Sequence, residues 1–263
     1  MRKISQIALI AILISCGKDK IEPANSTSTT QSESTPETPV ATSAEEVSGT
    51  WVADNFLEGI KKTKSVYQNR DSKTKVLFFT LDKNELLNSV GMLKGFTAHE
   101  GGYDVQIKFD ESKKAFAKDE RIKVNNADFE ESFELKMNGS KKLEMVMSGK
   151  TEVYQKINSD LAAELRKILF EGNYTEKGAP TKITFGSDGK VNFKDYTKYD
   201  VIYDFADGTQ KFDGILLSKG NSTDSDLYQF KINGKTLELQ LMHENEKDRT
   251  LKPEGNKIVL TKE

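Results

Sequence analysis

The chain has 263 residues, 30% of them charged and 36% hydrophobic, and its 39 Lys and Arg against 41 Asp and Glu leave a formal charge of −2. A balance so near neutral, with the signs intermixed, excludes the concentrated basic face that nucleic-acid binding needs. A single cysteine excludes any intramolecular disulfide.

The first element is an export segment. Arg2 and Lys3 precede an apolar run from Ile7 to Ile14. That run falls well short of the ~20 residues that cross a bilayer core. A basic start and a short apolar middle predict a secretory signal peptide over 1–15. The run ends in Leu13-Ile14-Ser15-Cys16, which resembles the lipobox of bacterial lipoproteins. On Leu13, Ser15 and Cys16 the resemblance implies a diacylglycerol on the Cys16 thiol, cleavage just before it and acylation of the new amine. Anchoring by such chains is stable, because each buried CH₂ contributes roughly 0.8 kcal/mol. The other reading is an incidental cysteine after an ordinary N-terminal helix. Gly17-Lys18-Asp19-Lys20 follows and resembles the surface-export signal of Bacteroidota lipoproteins, with Lys20 where a second carboxylate is usual. The expected address is the outer membrane, lipid-anchored and displayed at the cell surface. A periplasm-facing lipoprotein on a charged tether stays open.

Residues 16–47 read as the lipidated cysteine and a linker. Ser, Thr, Pro and Glu dominate its later part, as in Asn25-Ser26-Thr27-Ser28-Thr29-Thr30 and Pro36-Glu37-Thr38-Pro39. Such a stretch buries too little apolar area to offset its chain entropy, which predicts disorder.

From position 48 onward short alternating runs recur. Thr74–Leu81, Tyr103–Phe109, Ser132–Met137, Leu143–Met147 and Thr151–Ile157 read as strands of a first domain, 48–157. Asn138-Gly139 stands between two of them, with Ser140, Lys141 and Lys142 before the next strand, which allows a longer loop. An amphipathic stretch at Asn55–Thr63 places Phe56, Leu57 and Ile60 on one helical face. A connecting helix is predicted over 158–169, capped by Ser159 or Asn158, with Leu161, Leu165, Ile168 and Leu169 on its apolar face. The second domain, 170–263, repeats the plan. Tyr228–Ile232, Asn233-Gly234 and Leu237–Met242 predict a hairpin with a type I′ turn, and Lys257–Thr261 a last strand.

Both halves open alike, with Gly49-Thr50-Trp51 and Gly172-Asn173-Tyr174. A Gly-x-aromatic start followed by antiparallel strands resembles lipocalin-like barrels, in which Gly-x-Trp begins the first strand and the ring closes the barrel floor. The stretch Trp51 to Tyr67 is similar to the opening of Bacteroidota lipoproteins of unknown function, which implies an address and a fold and no activity. The fold class expected is mainly β: two antiparallel lipocalin-like barrels or meanders joined by a short helix. Two β-sheets or sandwiches without a cavity remain the plainer alternative.

Little in the chain points to catalysis. The two histidines, His99 and His243, each precede a glutamate, and adjacent strand residues face opposite ways, so neither pair is a natural chelate. Asp224-Ser225-Asp226 lacks the glycine and distal glutamate of a calcium loop. No nucleophile elbow or phosphate-cradling glycine loop stands out. The expectation is no catalytic set, no metal and no cofactor.

Two readings of function follow. In the first, the barrels bind a small apolar or amphipathic ligand, lined by Trp51, Phe78, Tyr103 and Phe133 in the first half and by Tyr174, Phe185, Phe212 and Phe230 in the second, with Phe96, Phe109, Met145, Phe193, Tyr203 and Met242 as further candidates. In the second, they are non-enzymatic interaction domains that contact an envelope protein or a surface glycan. Core packing is the competing role for every one of these side chains. A large apolar void would favour the first reading and a filled core the second.

Overall fold

The structure is a computed structural model. It describes residues 43–71, 74–97, 101–121, 131–138, 141–176, 178, 181–205, 208–220, 224–245, 247 and 249–263. The signal segment, Cys16, most of the linker, His99 and Gly139 lie outside the described residues.

Two closed eight-stranded antiparallel barrels follow one another in the chain. The first consists of β1 (Gly49–Ala53), β2 (Phe78–Leu81), β3 (Val90–Thr97), β4 (Gly101–Asp110), β5 (Ala115–Lys118), β6 (Phe133–Met137), β7 (Leu143–Met147) and β8 (Lys150–Ile157). Each strand pairs with the next, and β8 returns to β1 to close the ring. The second runs through β9 (Gly172–Glu176), β10 (Lys182–Phe185), β11 (Lys190–Phe193), β12 (Tyr196–Val201), β13 (Gly214–Ser218), β14 (Ser225–Asn233), β15 (Thr236–Glu244) and β16 (Leu251–Lys262), closed by β16 on β9. Closure leaves no free sheet edge. The fold is therefore lipocalin-like in general architecture.

Period-two patterning sets what fills each barrel. Tyr103, Val105 and Ile107 of β4 are buried, and so are Leu143, Met145 and Met147 of β7. On β2 the inward positions are Phe79 and Leu81, with Phe78 half-buried and Thr80 exposed. The strand is also shorter than the predicted Thr74–Leu81, beginning at Phe78.

Among the described residues four α-helices and one 3₁₀ turn (Tyr67–Asn69) accompany the strands. α1 (Ala44–Val47) lies inside the expected linker, so the ordered body starts before position 47. It carries a capping box, with the Ser43 side chain accepting from Glu46 N and the Glu46 carboxylate accepting from Ser43 N. α2 (Asp54–Thr63) buries Phe56, Leu57 and Ile60 and ends on Lys64 in the left-handed region. α3 (Lys83–Leu87), which periodicity did not announce, is capped by Asp82, whose carboxylate accepts from Asn84 N and Glu85 N at 2.8 and 3.1 Å. α4 (Leu161–Leu169) is the connecting helix. Its N-cap is Asp160 rather than Ser159 or Asn158, with Ala163 N donating to Oδ1 at 2.6 Å.

The Asn-Gly turn of the second half is also shifted by one residue. Asn233 pairs with Thr236, so Gly234 and Lys235 are the central residues. Gly234 alone of the two has a positive φ, +58°. A glycine with positive φ at the first central position is the type II′ pattern. In the first half the loop is longer, closed by Asn138 N donating to Lys142 O at 3.0 Å.

The two barrels share one compact unit. Asp213, on the β12–β13 connection, accepts a hydrogen bond from Ser65 Oγ at 2.5 Å and from Tyr67 N at 2.8 Å. Tyr203 meets Phe78 and Phe96 edge-on, with centroids 6.0 and 5.7 Å apart, and Phe205 meets Tyr67 at 5.4 Å. Such aromatic pairs each add about 0.5–1.5 kcal/mol beyond their buried area.

Candidate functional site

The barrel floors carry one device in two copies. Gly49 and Gly172 open β1 and β9 with φ of +113° and +140°. A Cβ on either would meet a lysine Cε at 2.7 Å, that of Lys156 or of Lys262. These lysines lie on the closing strands, in register with Trp51 and Tyr174. Lys156 Nζ stands 5.6 Å from the Trp51 ring centroid and Lys262 Nζ 5.7 Å from that of Tyr174. Trp51 Nε1 donates to Val47 O at 2.7 Å, and Tyr174 OH donates to Phe170 O at 2.7 Å. In each copy the aromatic group ties its strand to the helix just before it. Burial pushes the Tyr174 phenol up to about 12.

Six of the eight aromatics expected to line ligand cavities are taken up by core packing: Trp51, Tyr103, Phe133, Tyr174, Phe185 and Phe230 are each at most 6% exposed. In the second barrel Phe170 stands among them, 4.9 Å from Phe230, 5.7 Å from Phe185 and 5.7 Å from Tyr199. It follows directly on the connecting helix, and sequence reading passed over it because it lies beyond the helical stripe and before the strand. In the first barrel Phe79 packs on Tyr154 with centroids 4.9 Å apart. The Tyr154 hydroxyl donates to Glu152 Oε2 at 2.7 Å. Burial, and then the Glu152 charge, holds the Tyr154 phenol well above its ordinary value.

The other two expected residues lie elsewhere. Phe78 has the outward parity of β2 and stacks on Phe96 at 5.3 Å beside Tyr203. Phe212 is half-buried on the β12–β13 connection, outside any strand. Neither lines a barrel interior, because sequence alternation alone does not say which phase of a strand faces in.

Concavities among the described residues include two on the outside of the first barrel near α3. One of about 400 Å³ is bordered by Thr80, Asp82 and Met92, and one of about 310 Å³ by Asn88, Val90 and Gln106. The second barrel carries a cavity of about 440 Å³ between the β12–β13 connection and the ends of β14–β16. Asp204, Thr209 and Gln210 come from the connection; Leu227, Glu244 and Leu251 come from the strands, and Arg249 from the β15–β16 turn. Leu227 alternates with buried Tyr228 and so sits on the outer face of the sheet. Arg249 Nε and Glu244 Oε1 are 3.3 Å apart. No sequence motif marks this cavity, whose walls come from separate segments spread between Asp204 and Leu251.

Among the described residues no group of three or more His, Cys, Asp or Glu converges as a metal site, and no helix is long and apolar enough to cross a membrane. Comparison with protein families, curated proteins and solved structures gives no match to the chain.

Proposed function

We propose that the chain is a membrane-anchored lipoprotein, held by acyl chains on Cys16 at the outer membrane, that displays two filled β-barrels as a non-catalytic interaction module of the cell envelope. A lipocalin-like fold is compatible with ligand binding in general. The observation that carries the present reading is the use of the interior aromatics: Trp51, Tyr103, Tyr174, Phe185 and Phe230 are buried in contact with the protein's own side chains. A small barrel whose interior positions are filled in this way is a rigid core. The address rests on Leu13-Ile14-Ser15-Cys16 and on the basic start at Arg2 and Lys3.

Native mass spectrometry of the protein extracted from its own membranes tests both parts. Beyond the polypeptide, the expected mass is that of the acyl chains on Cys16 alone. A second apolar mass that denaturation releases would return the reading to a carrier of small apolar ligands. Cys16→Ala is expected to remove the acyl mass and release soluble protein. Retention of that variant in the membrane fraction would remove the anchor from the proposal.

A further inference from the structure

We infer that the cavity under the β12–β13 connection of the second barrel is a binding site for a small, neutral, hydroxyl-rich ligand, a saccharide unit being the chemical class that fits. The inference does not depend on the anchor or on how the barrel interiors are filled.

Its volume of about 440 Å³ falls in the range of about 300–1,000 Å³ typical of small-ligand sites. The chemistry of the lining narrows the class. Arg249 and Glu244 are already an ion pair, with Nε and Oε1 3.3 Å apart. A simple anion entering there must compete with Glu244, and a simple cation with Arg249. A hydroxyl both donates and accepts. It therefore uses the guanidinium and the Glu244 carboxylate together without separating the pair, and Asp204, also in the wall, is a second carboxylate of the kind that accepts from hydroxyls. Leu227 and Leu251 add two apolar walls, which suit the C–H face of a pyranose ring.

Gln210 supplies the independent observation. It is 9% exposed and borders the cavity. Its amide nitrogen is committed inward, donating to Phe212 O at 2.8 Å. Among the described residues no donor reaches its Oε1. That oxygen borders the cavity on a side chain held in place by its own amide nitrogen, and it is an acceptor for a ligand hydroxyl.

The test uses the full chain in detergent and saturation-transfer NMR with glucose, galactose and N-acetylglucosamine, with ethylamine and acetate as charged probes. The expected result is saturable transfer to the ring protons of at least one sugar, and weaker transfer to both charged probes. Glu244→Gln and Arg249→Gln, both at solvent-exposed side chains, are expected to weaken sugar binding about tenfold each, the loss of one charge-assisted hydrogen bond. Lys83→Gln, on the first barrel, is the control and leaves it unchanged. Preference for either charged probe, no transfer to any of the three sugars, or sugar binding indifferent to both substitutions would each overturn the assignment.

Discussion

Lys156 and Trp51 face each other across the β8–β1 ladder, the ammonium 5.6 Å from the ring centroid, and the lysine stem lies where a Cβ on Gly49 would be. The glycine, the ring and the lysine thus form one steric unit, repeated by Gly172, Tyr174 and Lys262. Gly49→Ala is expected to destabilise the protein by about 1–3 kcal/mol, because φ near +113° strains any side chain. Adding Lys156→Ala removes the clash and leaves the backbone strain. Denaturant unfolding followed by fluorescence measures both, since Trp51 is the chain's one tryptophan. Full rescue by the second substitution would locate the cost in the clash alone.

Tyr174→Phe keeps the ring and deletes the donor to Phe170 O. That carbonyl is then left without its partner in a buried setting. The expected loss is about 1–3 kcal/mol, read as a lower unfolding midpoint by circular dichroism. A midpoint equal to that of the unmodified protein would show that the bond adds nothing to the tie between α4 and β9.

Asp213 is expected to make the stability of the barrel junction depend on pH. Burial holds its carboxyl above the ordinary value, against the lowering effect of hydrogen bonds from Ser65 and from the Tyr67 and Val66 backbones. A carboxyl raised on folding contributes stability that is fully present below its unfolded value of about 3.9 and is lost as pH rises through the folded value. Asp213→Asn keeps the shape, can still accept from Tyr67 N, and removes the buried charge. Its stability relative to the unmodified protein is expected to improve as pH rises from 3 to 7. Asp213→Ala, which strands the Tyr67 N–H, is expected to cost about 1–3 kcal/mol. A pH-independent difference between the Asn variant and the parent would sink the junction argument.

Asp119 has the opposite sign. Its carboxylate, 1% exposed, takes a two-point hydrogen bond from Arg121 at 2.9 and 2.7 Å, with Lys108 Nζ at 3.5 Å. The Arg121 hydrogen bond, outweighing desolvation, holds the carboxyl well below the usual range. Stability from this group is present above about pH 3.9 and lost as pH falls below it. Arg121→Gln is expected to flatten that acid-side decline in a stability profile taken from about pH 5 to 2. An unchanged decline would assign it to other carboxylates.

The fold was largely legible because it is written in local patterns. Alternation at Tyr103–Phe109 and Leu143–Met147 marked strands, and the Leu161, Leu165 and Leu169 stripe marked the connecting helix. α1 and α3 could have been found too, since Ser43-Ala44-Glu45-Glu46 and Asp82-Lys83-Asn84-Glu85 both carry the cap-and-glutamate spacing. The turn at Gly234-Lys235 was misplaced because Asn233 is drawn into the ladder by Thr236. What was not legible depends on contacts between distant segments. Nothing near Asp213 in sequence names Ser65 or Tyr67 as its partners, 148 and 146 residues away. The cavity of Gln210, Glu244 and Leu227 exists only once β14–β16 are folded beneath the connection. The phase of β2, with Phe79 inward and Phe78 outward, is set by the ring of strands as a whole.

The β12–β13 connection serves both sides of itself. Tyr203 and Phe205 rest on the first barrel, while Asp204 and Gln210 wall the cavity of the second. In mechanical terms this strip is a shared beam. A turn of one barrel against the other would pull on residues that also wall the cavity, so the joint and the cavity are expected to respond together.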